Sequence, residues 1–426
     1  MSGIRARWLL GATVLVLLAV AGLRLTAPLL PGKPVFDGRL VEIDHPAGPG
    51  ARLPRLAALP GGGAVLSWVS PAEGGHVLRV ARYQAGRFGP PIEVARGNDW
   101  FVNWSDFPSV TPVDGDFWVA HWLARHPQAT DVYHYGIAMA ISRDGGNTWR
   151  RVGSPHADQT PAEHGFLAVA PDAGRAALVW LDGRANDERT TFSLRATHLD
   201  REGTFGRESV VDPDVCTCCW TALARTDDGL WAAYRGRTRD EVRDFQLRRH
   251  RAGQWSDALP LGAEQWQIVG CPVNGVSLAA RGRGLVASWF TAAQGKPRVR
   301  AAFIGEGESA PGPGPGPVLD VDVDLPAGRT AVAWQGEQRA VVLHMAAAAK
   351  DGLAELRLTQ ITPSGVGGAR AVARVSAGRD SGVPQLLAVD DGLLVAWTES
   401  APVYGIHTIL VKWSGLSAST SVEAFQ

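Results

Sequence analysis

The 426-residue sequence has no surplus of either charge, since 42 lysines and arginines face 42 aspartates and glutamates. That balance argues against a nucleic-acid footprint or a surface that binds polyanions. Methionine is scarce, with three residues, and so is lysine, whereas there are 16 Trp, 50 Gly and 28 Pro. Those proportions disfavour helices and suit many short strands joined by tight turns. Long hydrophobic runs are missing except at the start, where Arg5 and Arg7 precede an uncharged stretch from Trp8 to Leu23. Residues 1–27 therefore read as an export signal, either cleaved near Ala19-Val20-Ala21 or kept as a membrane anchor. Either way the positive-inside rule places the rest on the periplasmic or extracellular side, with membrane contact only through this segment. Pro28, Pro31 and Pro34 make residues 28–36 a stiff spacer, and residues 417–426 read as a tail.

Between them, residues 37–416 repeat. Apolar runs end in Trp68, Trp122, Trp180, Tyr234, Trp289, His344 and Trp397, with steps of 54, 58, 54, 55, 55 and 53 residues. Each unit has a Pro- or Gly-containing lead-in, a short apolar run, a turn such as Pro60-Gly61-Gly62-Gly63, the aromatic strand and then an alternating strand. Four strands in about 40 to 55 residues is one propeller blade, so the expected fold is an all-β propeller with seven blades, six being the alternative. A monomer is expected.

Strand order fixes sidedness. The first strand of a blade lines the central channel, so the loop leading into it and the loop between strands two and three open on one face. The lead-in loops place Arg52, Asn103, Asp106, Glu163, His164, the cysteines at 216, 218, 219 and 271, Asn274, Arg329 and Arg379 on that face. The loops after the aromatic strand add Asp182 and Arg184, then Arg235, Arg237, Glu241, Arg243 and Asp244.

The stretch Ser142-Arg143-Asp144-Gly145-Gly146-Asn147-Thr148-Trp149 resembles the Asp box of bacterial neuraminidase repeats, with one extra residue before Thr148. Its expected role is structural, Asp144 bonding turn amides and Trp149 packing between strands, on the side away from the channel face. The resemblance to sialidases implies three arginines gripping a substrate carboxylate, a Tyr–Glu nucleophile pair and an Asp acid/base. Arg52-Leu53-Pro54 is similar to the first-arginine motif, with Ala51 where an aromatic stands in the family, and Arg329 and Arg379 would complete the triad. Asp106 would be the acid and Glu163 the partner of a tyrosine. No tyrosine is placed there by sequence: Tyr234 is a strand-end core aromatic and Tyr404 a rim residue. Sialidases also have six blades where this chain counts seven. The blocks WFVNWSDFPS at Trp100, EHGF at Glu163, WLDGR at Trp180, VCTCCWT at Val215, YRGRTRDEVRD at Tyr234 and GCPVNG at Gly270 are similar to exported bacterial proteins labelled exo-alpha-sialidase. An acidic glycan is the partner this resemblance implies, with Arg184, Arg235, Arg237, Asn103 and Asn274 as further binding residues.

The four cysteines, Cys216, Cys218, Cys219 and Cys271, fall in two adjacent lead-in loops. Three readings stay open: one or two disulfides joining the fourth blade to the fifth, with Cys271 in one of them; a copper or zinc site that His164 or His156 could join; or a thiol nucleophile. Glu163 and His164 are either an acid/base pair or a carboxylate beside a histidine held by a carbonyl. Asp182 with Arg184, and Arg237 with Glu241 and Asp244, read as ion pairs that hold long loops. Asn103 and Asn274 suit turn caps, and the Ala310 to Pro317 run reads as a surface turn.

Overall fold

Short alternating segments separated by turn residues close into hairpins, as where Ala64–Ala72 returns as Gly75–Gln84 through Glu73-Gly74, with Gly74 at φ +72°. The computed structural model describes residues 38–185, 191–305, 314–400 and 402–413. The export segment, the spacer, the start of the Ala310 to Pro317 run and the tail lie outside those described residues.

Seven antiparallel sheets form the blades of a β-propeller. Blade 1 runs Arg52–Ala58, Ala64–Ala72 and Gly75–Gln84, with an outer edge in two pieces, Arg87–Phe88 and Ile92–Gly97. Blade 2 is Ser109–Pro112, Trp118–Arg125, Tyr135–Ser142 and Arg150–Gly153; blade 3 is His164–Asp172, Arg175–Asp182, Phe192–Leu199 and Ser209–Val215. Blade 4 is Ala222–Thr226, Gly229–Arg235 and Phe245–Arg251, edged by Gln254–Trp255 and Leu259–Pro260. Blade 5 comprises Val276–Arg281, Gly284–Thr291, Arg298–Ile304 and Leu319–Asp322, and blade 6 Gly328–Trp334, Ala340–Ala348, Leu353–Thr362 and Gly365–Ser376. Blade 7 takes Gln385–Val389, Gly392–Glu399 and Gly405–Trp413 from the end of the described chain and its outer strand, Gly38–Glu42, from the beginning, with Gly38 opposite Trp413. Helix among the described residues is limited to two short 3-10 turns, Ala293–Gly295 and Arg379–Ser381.

The seven repeat positions all lie on second strands and, from Trp68 to Trp397, all are buried. Three of them share a device that explains why rings of different chemistry fit one position. Tyr234 Oη donates to Asp212 at 2.6 Å, Trp289 Nε1 to Glu264 at 2.9 Å, and His344 Nε2 lies 2.9 Å from Asp322. Asp212 and Asp322 stand on the outer strand of the preceding blade and Glu264 follows that edge, so a buried ring with one N–H or O–H seals one blade to the next.

The first strands enclose a central cavity of about 470 Å3. In blades 1, 3 and 6 the first strand is bulged at its start, where Leu53, Phe166 and Arg329 adopt positive φ (57°, 54° and 50°). Each bulged N–H donates to a side chain of the preceding part of the ring: Leu53 to Thr398 at 3.2 Å, Phe166 to Asp106 at 2.8 Å, and Arg329 to Asn274 at 2.7 Å. Bulges of this kind re-aim side chains at strand ends and accumulate near functional sites.

Candidate functional site

Asp106 has a second partner besides the bulge of blade 3. Tyr135, first residue of the third strand of blade 2, directs its hydroxyl at Glu163 Oε1 (2.8 Å) and Asp106 Oδ2 (3.2 Å). Sequence reasoning named both carboxylates and missed the tyrosine between them. The missed signal was positional: a third strand begins on the same face as the lead-in loops. Gly165 makes the approach possible, because a Cβ there would stand 2.1 Å from Asp106 Oδ2. Burial raises Asp106 to about 7 against hydrogen bonds from the Phe166 amide and Tyr135. Burial also lifts Glu163 to about 8, helped by the charges of Asp106 and Asp131. Tyr135 is driven well above its usual range by burial and then by the two carboxylates. One phenol proton serves two acceptors, so this trio is built to hold an extra proton near neutrality. The ring of Phe101 stacks on Tyr135 at 4.3 Å and covers it.

His164, adjacent to Glu163, points elsewhere. Its Nδ1 faces the Ala162 carbonyl at 3.2 Å and its Nε2 the Asp158 carboxylate at 2.7 Å, with Asp182 at 3.7 Å. Both ring nitrogens are thus engaged by protein oxygens. His156 stacks on it at 4.0 Å, with Nε2 accepting from Ile137 N at 3.3 Å and Nδ1 3.2 Å from the Asp158 carbonyl. His156, Asp158 and His164 lie close enough to hold an ion, but the imidazole nitrogens are already committed. Asp182, fully buried, receives Trp180 Nε1 and three bonds from Arg184, one of them from its amide; Arg184 also pairs with Glu208 at 3.0 Å. Arg237 and Arg243 both clasp Glu241 at 2.6 Å, while Asp244 accepts from the amides of Gln265 and Trp266. The Asp182–Arg184 and Arg237–Glu241 pairs are the ion pairs expected, whereas Asp244 caps backbone amides instead of joining Arg237.

The three arginines named for a carboxylate grip occupy two places. Arg329 and Arg379 share Trp104, at 4.8 and 5.9 Å from its ring, whereas Arg52 lies over Tyr404 at 5.4 Å. Arg329 is buried, donating to Ser381 and to the carbonyls of Gly382 and Ala377, and burial lowers it to about 10. Arg235 is likewise committed to the carbonyls of Arg243, Asn274 and Phe290. Asn274 joins blades 5 and 6 through Arg329 N and the Ala327 carbonyl, and Asn103 caps Ser105. Sequence reasoning did not single out Arg55. It lines the central cavity 4.1 Å above the Phe107 ring, its Nε has no acceptor, and no carboxylate pairs with it among the described residues. Burial alone lowers it to about 10. Asp106 lines the same cavity, and so does His121, which burial and Arg55 bring down to about 3.

At the blade 4–5 junction Cys218 is bonded to Cys271, with Cα atoms 6.0 Å apart, while Cys216 and Cys219 are buried thiols. The sulfurs of Cys216, Cys218 and Cys219 lie within 4.8 Å of one another, a spacing able to hold a metal. With Cys218 in the disulfide, two thiols remain, fewer than the three or four protein ligands a zinc site uses. Arg243 Nη1 stands 3.5 Å from the sulfur of Cys216, and Arg235 Nε 3.3 Å from that of Cys219. The hydrogen bond from Cys219, with these two cations nearby, holds the Cys216 thiol below its ordinary range despite burial, while burial raises Cys219.

On the opposite side, between the third and fourth strands of blade 2, Asp144 accepts from the amides of Asn147 and Thr148 and from the Thr148 hydroxyl. Ser142 Oγ accepts from Gly146 N, and Trp149 Nε1 donates to the Gly146 carbonyl at 3.0 Å. Gly145 ties the hairpin to Arg82 of blade 1 and to the Asp116 carbonyl, so its bonds serve the scaffold.

No protein-family model matches the sequence, and no curated protein does. Among solved structures, a protein of unknown function from Dyadobacter fermentans is similar over 90% of this chain and 100% of its own, at 14% identity and a TM-score of 0.52. Polysaccharide lyase Uly1 aligns over 86% of this chain and 90% of its own, at 10% identity and a TM-score of 0.48. A thermostable family-43 glycoside hydrolase covers 65% of this chain and 97% of its own, at 13% identity and a TM-score of 0.37. The likeness to the Dyadobacter fermentans protein, at 14% identity, is one of fold.

Proposed function

We propose that the channel face binds an acidic glycan and hydrolyses a glycosidic bond in it by sialidase-type chemistry. The observation that carries this reading is the hydroxyl of Tyr135 set between Glu163 and Asp106, the three groups that such chemistry requires. The step requires the form of the trio that holds a single extra proton, on Asp106, with Glu163 ionised: Glu163 takes the phenol proton as Tyr135 Oη bonds the anomeric carbon, and Asp106 protonates the leaving oxygen. Water then releases the sugar, and the protons return by the reverse route. Arg55, a half-buried guanidinium with no carboxylate partner among the described residues, supports the acidic character of the ligand, because an anion entering the cavity would pair with it. Arg329 and Arg379 add positive charge beside Trp104. Phe101 and Trp104 belong to one loop, and access to Tyr135 requires that loop to lift.

Fluorogenic sialoside and glucuronide substrates test the reading. Wild-type protein should turn over one of them; Tyr135→Phe and Asp106→Asn should each lower kcat by roughly 100-fold or more, and Arg55→Met should chiefly raise KM. Asp106→Asn keeps an oxygen for the Phe166 amide, as Asn274 does for Arg329, so its fold should survive. If the wild type cleaves neither substrate and calorimetry detects no binding of the free sugar acids, the proposal fails.

A further inference from the structure

The cysteine cluster has an arrangement that a structural staple does not need. Cys216-Thr217-Cys218-Cys219 packs two buried thiols beside a disulfide whose other sulfur belongs to Cys271, in an exposed segment next to the fully open Val269 and Gly270. The sulfur of Cys216 is 3.9 Å from that of Cys218. It therefore sits near attacking distance from one particular sulfur of the bridge.

We propose that the four cysteines form a thiol–disulfide relay that carries a disulfide between the buried pair Cys216/Cys219 and the surface at Cys271. In the first step the Cys216 thiolate attacks the sulfur of Cys218. A Cys216–Cys218 bond forms, the Cys218–Cys271 bond breaks, and its electron pair leaves on Cys271, which takes a proton from solvent. In the second step the Cys219 thiol, after losing its proton to the Cys218 sulfur as that group departs, attacks Cys216. A Cys216–Cys219 disulfide results, with Cys218 and Cys271 as free thiols. One disulfide and two thiols are present throughout, so no outside oxidant is consumed. The surface dithiol can then reduce an external disulfide: Cys271 bonds one of its sulfurs and Cys218 displaces the product, restoring the outer bridge while the partner gains two electrons and two protons.

The surroundings support this direction of attack. Arg243 and Arg235 face the Cys216/Cys219 pair and favour a thiolate there, and the lowered Cys216 thiol is the group next to the bridge. Reaction through Cys271 gives a partner too large for the cavity a way to exchange electrons with sulfurs it never touches. This inference is independent of the glycan reading, since no cysteine lines the central cavity.

Disulfide mapping after incubation with a glutathione redox buffer, with free thiols blocked by N-ethylmaleimide, decides the matter. Wild type should show Cys218–Cys271 together with Cys216–Cys219. Cys219→Ser should accumulate Cys216–Cys218 and expose Cys271 to alkylation, whereas Cys216→Ser should leave Cys218–Cys271 alone. Reduction of bis(2-hydroxyethyl) disulfide by the partly reduced protein should fall on the order of tenfold or more in Cys216→Ser, with the thermal midpoint measured alongside to show that the variant is folded. A single, invariant Cys218–Cys271 bridge in the wild type would overturn the relay. So would isolation of the native protein with four free thiols and bound copper or zinc.

Discussion

At the scale of the residue, Asp106 and Glu163 couple the site to stability. Their folded values, about 7 and about 8, lie above the ordinary 3.8 and 4.5, so the folded state holds protons that the unfolded chain releases. The sign follows directly: the contribution is full below about pH 4 and is lost as pH rises through 7 and 8. Over that window each group steepens the fall by up to about 1.4 kcal/mol per pH unit. Urea titrations from pH 4.5 to 8.5 should therefore show declining stability in the wild type and a flatter profile in Asp106→Asn and Glu163→Gln. Equal slopes in all three would mean the carboxyls are ionised at neutrality. Both residues were legible in sequence because a short motif, EHGF or WSDF, puts them on the lead-in loops. Tyr135 and Arg55 were not, because a tyrosine or arginine inside a strand looks like any alternating residue until neighbouring blades meet around it.

At the scale of the element, the second strands explain what the repeat was reporting. The spacing called for an aromatic at 344 and the sequence offered His344; the structure shows how a histidine fills the place, as a buried ring whose nitrogen meets an acid of the preceding blade. Tyr234 with Asp212 and Trp289 with Glu264 use the same arrangement. His344→Phe keeps a ring but leaves Asp322 without this donor in a buried setting, which should cost about 2–4 kcal/mol. Chemical denaturation of the single variants and of His344→Phe with Asp322→Asn should reveal strong coupling between the two sites. Additive effects would show that the pair does not seal the blades. These partners could not be read from sequence, since they lie 22 to 25 residues apart with turns of varied length between them.

At the scale of the whole molecule, seven blades were legible from near-equal intervals, whereas the closure was not, because Gly38–Glu42 carries no aromatic and precedes the first repeat. That strand completes blade 7 against Gly405–Trp413. A chain beginning at Ile43 should lose roughly 2–5 kcal/mol, through the missing ladder and the exposed edge, seen as a lower thermal midpoint and a tendency to associate; an unchanged midpoint would show that the closing strand is dispensable. The closure also governs timing. The bond from Thr408 to the Ile43 carbonyl spans 365 residues, so the ring stays open until that length of chain has been made after Ile43, roughly 20 to 70 seconds at ordinary elongation rates. For that interval the Gly38–Glu42 strand stands without its partner Gly405–Trp413, and whatever keeps a nascent chain from associating must act on the strand made first rather than on the blade made last.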